Sequence, residues 1–299
     1  MASSQKTSPN YTIRPMSRNE LAITVEWAAA EGWNPGLHDA NCFYAADEDG
    51  FLAGLLNGEP IACISAVKYD KTFGFIGFYI VRPEFRGQGY GWQIWQAGLA
   101  RLKGCNMGLD GVVEQQENYI KSGFKLAHRN IRYEGSKRNK QPLKKQKEKQ
   151  NKTFEGEIVP LSSLPLEKIL TYDKAIFLHE RAAFLQCWIN AVEHRALGLV
   201  QQRQLVGYGV LRPCQQGYKI GPLFAETAQL AEALFLELIK PVTPDRPFYL
   251  DAPAVNSEAI ALAEKYGMKS VFETARMYTQ EAPSMPLNKI FGITTFELG

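Results

Sequence analysis

The stretch VRPEFRGQGYGWQIWQ, Val81–Gln96, places three glycines at alternate positions between two apolar segments. The run FGFIGFYIV (73–81) that leads into it has the length and the continuous hydrophobicity of a buried strand. The segment that follows has the spacing of one helix face, at Trp92, Trp95, Leu99 and Leu102. A glycine loop between a strand and a helix predicts a concave set of backbone N–H groups, because glycine allows positive φ and the helix adds its own unpaired donors. Such a loop is typical of a site that binds pyrophosphate.

Three kinds of phosphate loop differ in what surrounds their glycines. A Walker loop requires Lys-Ser/Thr directly after its last glycine, and none follows Gly91. A dinucleotide fingerprint requires a third glycine three residues after Gly89, where Trp92 stands. The pattern Arg86-x-x-Gly89-x-Gly91 instead fits the loop that holds the pyrophosphate of coenzyme A.

The longer pattern Val81-x-Pro83-x-Phe85-Arg86-Gly87-x-Gly89-x-Gly91 resembles motif A of the GNAT N-acetyltransferase superfamily. A second motif, Tyr-Ile-Lys-Ser-Gly-Phe at 119–124, is similar to the helix signature Tyr-x-Lys-x-Gly-Phe of the same superfamily and follows a predicted strand, MGLDGVV. The resemblance implies an acetyl-CoA-dependent acyltransferase. Coenzyme A would lie between the strand that ends at Val81 and the strand at 109–112.

The same resemblance implies which residues serve the cosubstrate and the leaving group. In this superfamily the tyrosine of the helix signature protonates the departing thiolate, a role that falls on Tyr119. An asparagine is frequent in the superfamily where Val112 stands here. Gln115, Gln116 or Asn118 would take its place in contacting the cofactor, and Asn118 is the candidate that we name. The expected cofactor-binding residues are Ile80, Val81, Arg82, Arg86, Gly87, Gln88, Gly89, Tyr90, Gly91, Trp92 and Asn118.

The general base is not identified by any motif. Direct attack requires a neutral amine, and a free alkyl amine has a pKa near ~10. The superfamily's usual glutamate on the strand before the glycine loop has no match, since residues 73–80 contain no acid. Asp110 is the carboxylate that we name as the candidate catalytic base. The alternatives are Glu114, the cluster Asp47-Glu48-Asp49, and Asp251. Acceptor-binding residues are expected at Trp33 and Asn34, in the loop after the first helix, and at Asp251.

The second half of the chain repeats the order of strands and helices of the first. Lys-Ser-Gly-Phe-Lys at 121–125 is echoed by Lys-Tyr-Gly-Met-Lys at 265–269, whereas the loop after Pro222 contains no glycines and Ala263 stands at the tyrosine position. We therefore predict an α/β (α+β) fold with mixed sheets in two tandem GNAT-like domains. The catalytic domain would span 1–135, a basic linker 136–152, and a degenerate domain 153–299 that walls the acceptor site.

Composition limits the class of protein. The net charge is +3, but residues 137–152 contain eight basic residues and one acidic residue, so the remainder is net acidic. The basic segment lacks interleaved aromatic residues, and we expect no nucleic-acid partner. The five scattered cysteines show neither metal spacing nor a disulfide pattern, and no long apolar run or signal peptide is evident. We expect a cytoplasmic enzyme without metal or membrane association, acting on a small-molecule or peptide amine; its oligomeric state is open. The alternative is a non-catalytic acyl-CoA sensor.

Overall fold

The computed structural model describes residues 10–138 and 156–299, so most of the predicted linker lies outside the described residues. The first half contains β1 Tyr11–Pro15, α1 Leu21–Ala30, α2 Asp39–Ala46, β2 Phe51–Leu56, β3 Glu59–Lys68, β4 Phe73–Val81, α3 Tyr90–Arg101, β5 Asn106–Val112, α4 Gln116–Lys121 and β6 Lys125–Ser136. The second half contains β7 Glu157–Pro160, α5 Leu166–Phe177, α6 Ala182–Asn190, β8 Arg195–Gln201, β9 Gln204–Pro213, β10 Tyr218–Ala225, α7 Ala228–Ile239, β11 Pro247–Pro253, α8 Ser257–Lys265, β12 Lys269–Tyr278 and β13 Ile290–Gly292.

All strands belong to one mixed sheet, in the order β1-β2-β3-β4-β5-β12-β6-β11-β10-β9-β8-β7, with β13 against β10. Two pairs, β4 with β5 and β10 with β11, are parallel; the others are antiparallel. The pairs occupy equivalent positions in the two halves, and each is followed by a helix and a final strand. This arrangement confirms the predicted α/β class and the internal repeat.

The two halves exchange the strands that follow α4 and α8. Strand β12, from the second half, lies between β5 and β6 of the first half, with Arg276 opposite Asp110. Strand β6, from the first half, pairs in turn with β11. The sheet is therefore continuous across the junction, and the domain boundaries at 135 and 153 stay a prediction about the chain rather than a division of the sheet.

Two local expectations need correction. Trp92 is 61% exposed, and α3 buries Ile94, Trp95 and Gly98 instead of a face that includes Trp92. Cys42 on α2 and Cys187 on α6 form a disulfide, contrary to the expectation that no cysteines pair. Their 145-residue separation leaves no local spacing signal.

The C-terminal segment 290–299 is buried throughout and packs on the body of the same chain. The Leu298 carbonyl accepts a hydrogen bond from the Tyr69 hydroxyl at 2.7 Å, and the Thr294 hydroxyl accepts one from Arg181 at 3.0 Å. This packing carries the tail from the second half across to β4. Within the described residues, no helix combines the length and hydrophobicity that a bilayer crossing requires.

Candidate functional site

Strands β4 and β5 separate partway along their length. Their parallel pairing runs from Phe73 opposite Asn106 to Ile76 opposite Leu109 and then stops. Beyond this point, no strand in the described part of the chain pairs with residues 77–81 of β4 on the β5 side. The Val81 carbonyl at the end of β4 accepts a hydrogen bond from Arg86 Nε at 2.8 Å. The gap leaves the facing edge of β4 open to a ligand with amide groups.

The glycine loop closes one end of this gap. Gly87 and Gly89 adopt φ of 76° and 84°, in the left-handed region that favours glycine, and Gly89 is the N-cap of α3. Within the described residues, no backbone N–H from Gly87 to Trp92 donates to a backbone carbonyl. A Cβ on Gly91 would lie 2.9 Å from the Tyr79 hydroxyl, so this glycine allows the helix to begin close against β4. The loop thus presents a row of free donors at a helix N-terminus, the arrangement predicted for pyrophosphate.

A cavity of about 630 Å³ extends from this loop into the gap. Both halves of the chain line it: β4, the glycine loop and α4 from the first half, and β12 and the C-terminal tail from the second. Its lining residues are Glu31, Trp33, Ile76, Gly77, Phe78, Tyr79, Ile80, Val81, Arg86, Gly87, Gly89, Gly91, Trp92, Trp95, Leu109, Asp110, Gly111, Val112, Gln115, Tyr119, Phe272, Thr274, Phe296 and Glu297.

Tyr119 lies in the cavity wall on α4, against β5. A Cβ on Gly111 would lie 2.2 Å from the Tyr119 ring, so the glycine at this position allows the ring to lie on the strand. Burial raises the pKa of the Tyr119 hydroxyl above its ordinary value. The hydroxyl is therefore protonated at neutral pH, the state that a proton donor requires.

Asp110 and Asp251, the acids predicted to serve catalysis and acceptor binding, are both held by arginines. Arg276 donates to both carboxylate oxygens of Asp110, at 2.8 and 2.6 Å, and Asn130 adds a third bond. Arg132 contacts both oxygens of Asp251, at 2.7 and 2.8 Å, and Asp251 does not line the cavity. These contacts favour structural roles, and the predicted functional roles remain untested.

The two predicted acceptor-binding residues of the first loop are placed differently. Trp33 lines the cavity, and its carbonyl accepts a bond of 2.7 Å from Arg132. Asn34 instead bonds through its side-chain amide to the backbone of Gln216, at 2.9 and 3.0 Å. Asn34 therefore fastens the loop to the second half and does not line the cavity.

Of the predicted cofactor-binding residues, four do not line the cavity. Arg82 forms ion pairs with Glu59 and Glu84, and Gln88 donates to the Glu84 carbonyl at 3.0 Å. The Tyr90 ring lies 4.8 Å from that of Tyr11, and Asn118 donates to Gln115 at 2.7 Å. The remaining seven line the cavity: Ile80, Val81, Arg86, Gly87, Gly89, Gly91 and Trp92.

Four lining residues from the second half had not been predicted: Phe272, Thr274, Phe296 and Glu297. The rings of Phe272 and Phe296 are 6.0 Å apart, and the Arg132 guanidinium lies over both. The tail sequence ITTFELG contains a single acidic residue in an otherwise apolar segment, and this was the one sequence feature that could have indicated Glu297. Strand exchange and tail packing bring these residues to the site, and neither can be read from local spacing.

Comparisons with known proteins agree with this architecture. Residues 19–120 match the profile of the acetyltransferase (GNAT) family, and residues 169–292 match that of an acetyltransferase (GNAT) domain. A holothin acyltransferase from Pseudoalteromonas sp. (strain SANK 73390) is 32% identical over 289 residues, which are 97% of this chain and 95% of that protein.

Two solved structures share the whole fold. A crystal structure from Pyrococcus horikoshii has a TM-score of 0.78 at 20% identity and covers 100% of this chain and 99% of its own. A tandem GNAT protein from the clavulanic acid biosynthesis pathway has a TM-score of 0.64 at 12% identity and covers 91% and 100%. At these identities the two structures support the tandem fold alone.

Proposed function

Since the chain belongs to the GNAT superfamily as a tandem-domain acyltransferase, we propose that it transfers an acetyl group from acetyl-CoA to the amine of a small molecule. The observation that carries the proposal is the row of free N–H groups at residues 87–92, at the mouth of the gap between β4 and β5. This loop suits a pyrophosphate, and the open edge of β4 beyond Ile76 suits the pantetheine amides.

The cavity walls favour a small acceptor over a peptide. Trp33, Phe272 and Phe296 line the end of the cavity that the second half covers, and together they offer aromatic faces to an apolar body. The buried tail covers this side of the cavity. The name of the 32% identical relative makes holothin the first acceptor to test.

The protein's own groups have separate tasks in the transfer. The loop donors fix the cosubstrate, so the amine attacks a positioned thioester carbonyl. Tyr119 supplies a proton to the thiolate that leaves, because its hydroxyl is protonated at neutral pH and lies in the cavity wall. A further group must take the proton that the amine loses.

Calorimetric titration with acetyl-CoA tests the cradle. Gly89→Val should weaken binding at least tenfold, because φ of 84° is strained for valine and the loop donors would turn away. Gly58→Val is the matched control, since it imposes similar strain at φ of 89° in the distant hairpin between β2 and β3. Equal affinity for Gly89→Val and the wild type would refute the cradle. Tight binding by a wild type that acylates neither holothin nor simple amines would favour the acyl-CoA sensor.

A further inference from the structure

Three carboxylates line the cavity, and two of them have cationic partners. Glu31 pairs with Arg86, and Asp110 pairs with Arg276. Glu297, on the C-terminal tail, is 5% exposed. Within the described residues its carboxylate faces the charges of Lys219, Arg132 and Arg212 but forms no ion pair or side-chain hydrogen bond with them. A buried carboxylate without a fixed partner is costly unless a ligand or a proton meets it.

The tail places Glu297 where the gap opens. A Cβ on Gly77 would lie 2.4 Å from the Glu297 carbonyl oxygen and 2.9 Å from its Cα, so the tail crosses directly over this residue. Gly77 is the first residue of β4 beyond the last pair with β5. Two hydrogen bonds at Leu298 anchor the crossing, from Tyr69 to its carbonyl and from its N–H to Thr295.

We propose that Glu297 is the general base of the transfer, supplied by the second half in place of an acid on β4. This assignment rests on the proposed function. The amine nitrogen forms a bond to the thioester carbonyl carbon while the carbon–sulfur bond breaks. Before this attack the Glu297 carboxylate takes a proton from the protonated amine, which leaves the nitrogen neutral. During the attack the thiolate takes a proton from Tyr119 and the new amide gives its second N–H proton to solvent. Glu297 and Tyr119 then return to their starting states by exchanging protons with solvent.

The electrostatic surroundings suit this role. Burial raises the pKa of Glu297, and Asp39 on α2 adds to the effect. Lys219 on β10, Arg132 on β6 and Arg212 on β9 oppose it. Each arginine is already paired, Arg132 with Asp251 and Arg212 with Asp39. Burial makes this carboxylate a stronger proton acceptor than an ordinary exposed glutamate, as a general base requires.

The test compares three variants, Glu297→Gln, Glu297→Asp and Glu273→Gln. Glu273, on β12, is 46% exposed, pairs with Arg129 and does not line the cavity, so its variant is the matched control. The rate of acetyl transfer from acetyl-CoA is measured between pH 6 and 9.5 with benzylamine and aniline as acceptors. Affinity for acetyl-CoA and the melting temperature are measured alongside.

Glu297→Gln should lower the rate at pH 7 by on the order of 100-fold while acetyl-CoA binds as before. The loss with benzylamine should shrink as pH rises, because solvent then supplies the neutral amine, and Glu297→Asp should recover part of the rate. Wild-type rates in Glu297→Gln, or a loss of rate that is equal at every pH, would show that Glu297 is not the general base. Neither result would contradict the proposed acyltransferase activity. If the wild type acetylated no amine, the proposed function would be wrong, and the role of Glu297 as its general base would be wrong as well.

Discussion

Replacing Asp251 with alanine should destabilise the protein strongly. The change leaves the Arg132 guanidinium, whose side chain is 4% exposed, without the carboxylate that now contacts it at 2.7 and 2.8 Å. Removing one member of a buried ion pair costs about 3–5 kcal/mol, because the remaining charge stays desolvated. For a chain of 299 residues, that loss corresponds to a fall in melting temperature of roughly 5–8 °C.

Thermal and urea unfolding, followed by tryptophan fluorescence, measure this loss. Asp49→Ala is the control, since Asp49 is exposed and its replacement should change stability by less than about 0.5 kcal/mol. The double variant Arg132→Met/Asp251→Leu should recover part of the stability, because it removes both charges together. It should not recover all of it, since Arg132 also donates to the Trp33 carbonyl and lies over Phe296.

The same variant separates the two roles considered for Asp251. If its carboxylate binds the acceptor, Asp251→Ala should raise KM for the acceptor and leave the melting temperature unchanged. Burial alone would raise the pKa of Asp251, but Arg132 outweighs it and holds the pKa below the ordinary value, as in a structural ion pair. A melting temperature within 2 °C of the wild type would refute the structural reasoning.

Three further outcomes follow from the site and its supports. Gly77→Ala should cost about 1–3 kcal/mol and lower turnover, because its Cβ would meet the Glu297 backbone at 2.4 Å; unchanged unfolding and unchanged tail proteolysis would contradict this. Burial lowers the pKa of His128 and of His194 to about 4. The unfolded chain then binds protons that the folded state does not, so each histidine should lower the free energy of unfolding by up to about 3 kcal/mol as pH falls from 6.5 to 4. Urea unfolding of His128→Asn and His194→Asn should then show a shallower pH dependence, and an unchanged slope would count against the assignment. Tyr119→Phe should lower kcat by on the order of 100-fold without changing the calorimetric affinity for acetyl-CoA, and equal turnover would remove the proton-donor role.

Local patterns predicted the helices and the glycine loop of the first half that border the cavity. The glycine loop, the start of α3 and the tyrosine helix are each determined by residues within one turn or strand, so their order and spacing sufficed. The hairpin at Asn57-Gly58 was predictable for the same reason, since both residues adopt the positive φ that its turn requires.

Non-local contacts account for the features of the structure that local sequence patterns could not predict. The partners of Asp110 and Asp251 come from strands far along the chain, and the Cys42–Cys187 disulfide joins helices of different halves. Trp92 followed the helical period yet faces outward, because the buried face of α3 is set by where β3 and β4 lie. Helical periodicity shows which residues share a face of the helix, but it does not show which face packs against the sheet.

Strand exchange gives a physical reason why a second copy without a glycine loop still serves the site. Strand β12 of the second copy occupies the side of β5 away from the gap, and the tail beyond it crosses β4 at Gly77. The first copy contributes the glycine loop and Tyr119 to the cavity, whereas the second contributes Phe272, Phe296 and Glu297. The second copy can therefore lack a glycine loop without loss to the cavity, provided that it keeps the strand and the tail that line it. Substitutions in the short turn between β10 and α7 should consequently affect the cavity less than substitutions in the tail, although both belong to the same half.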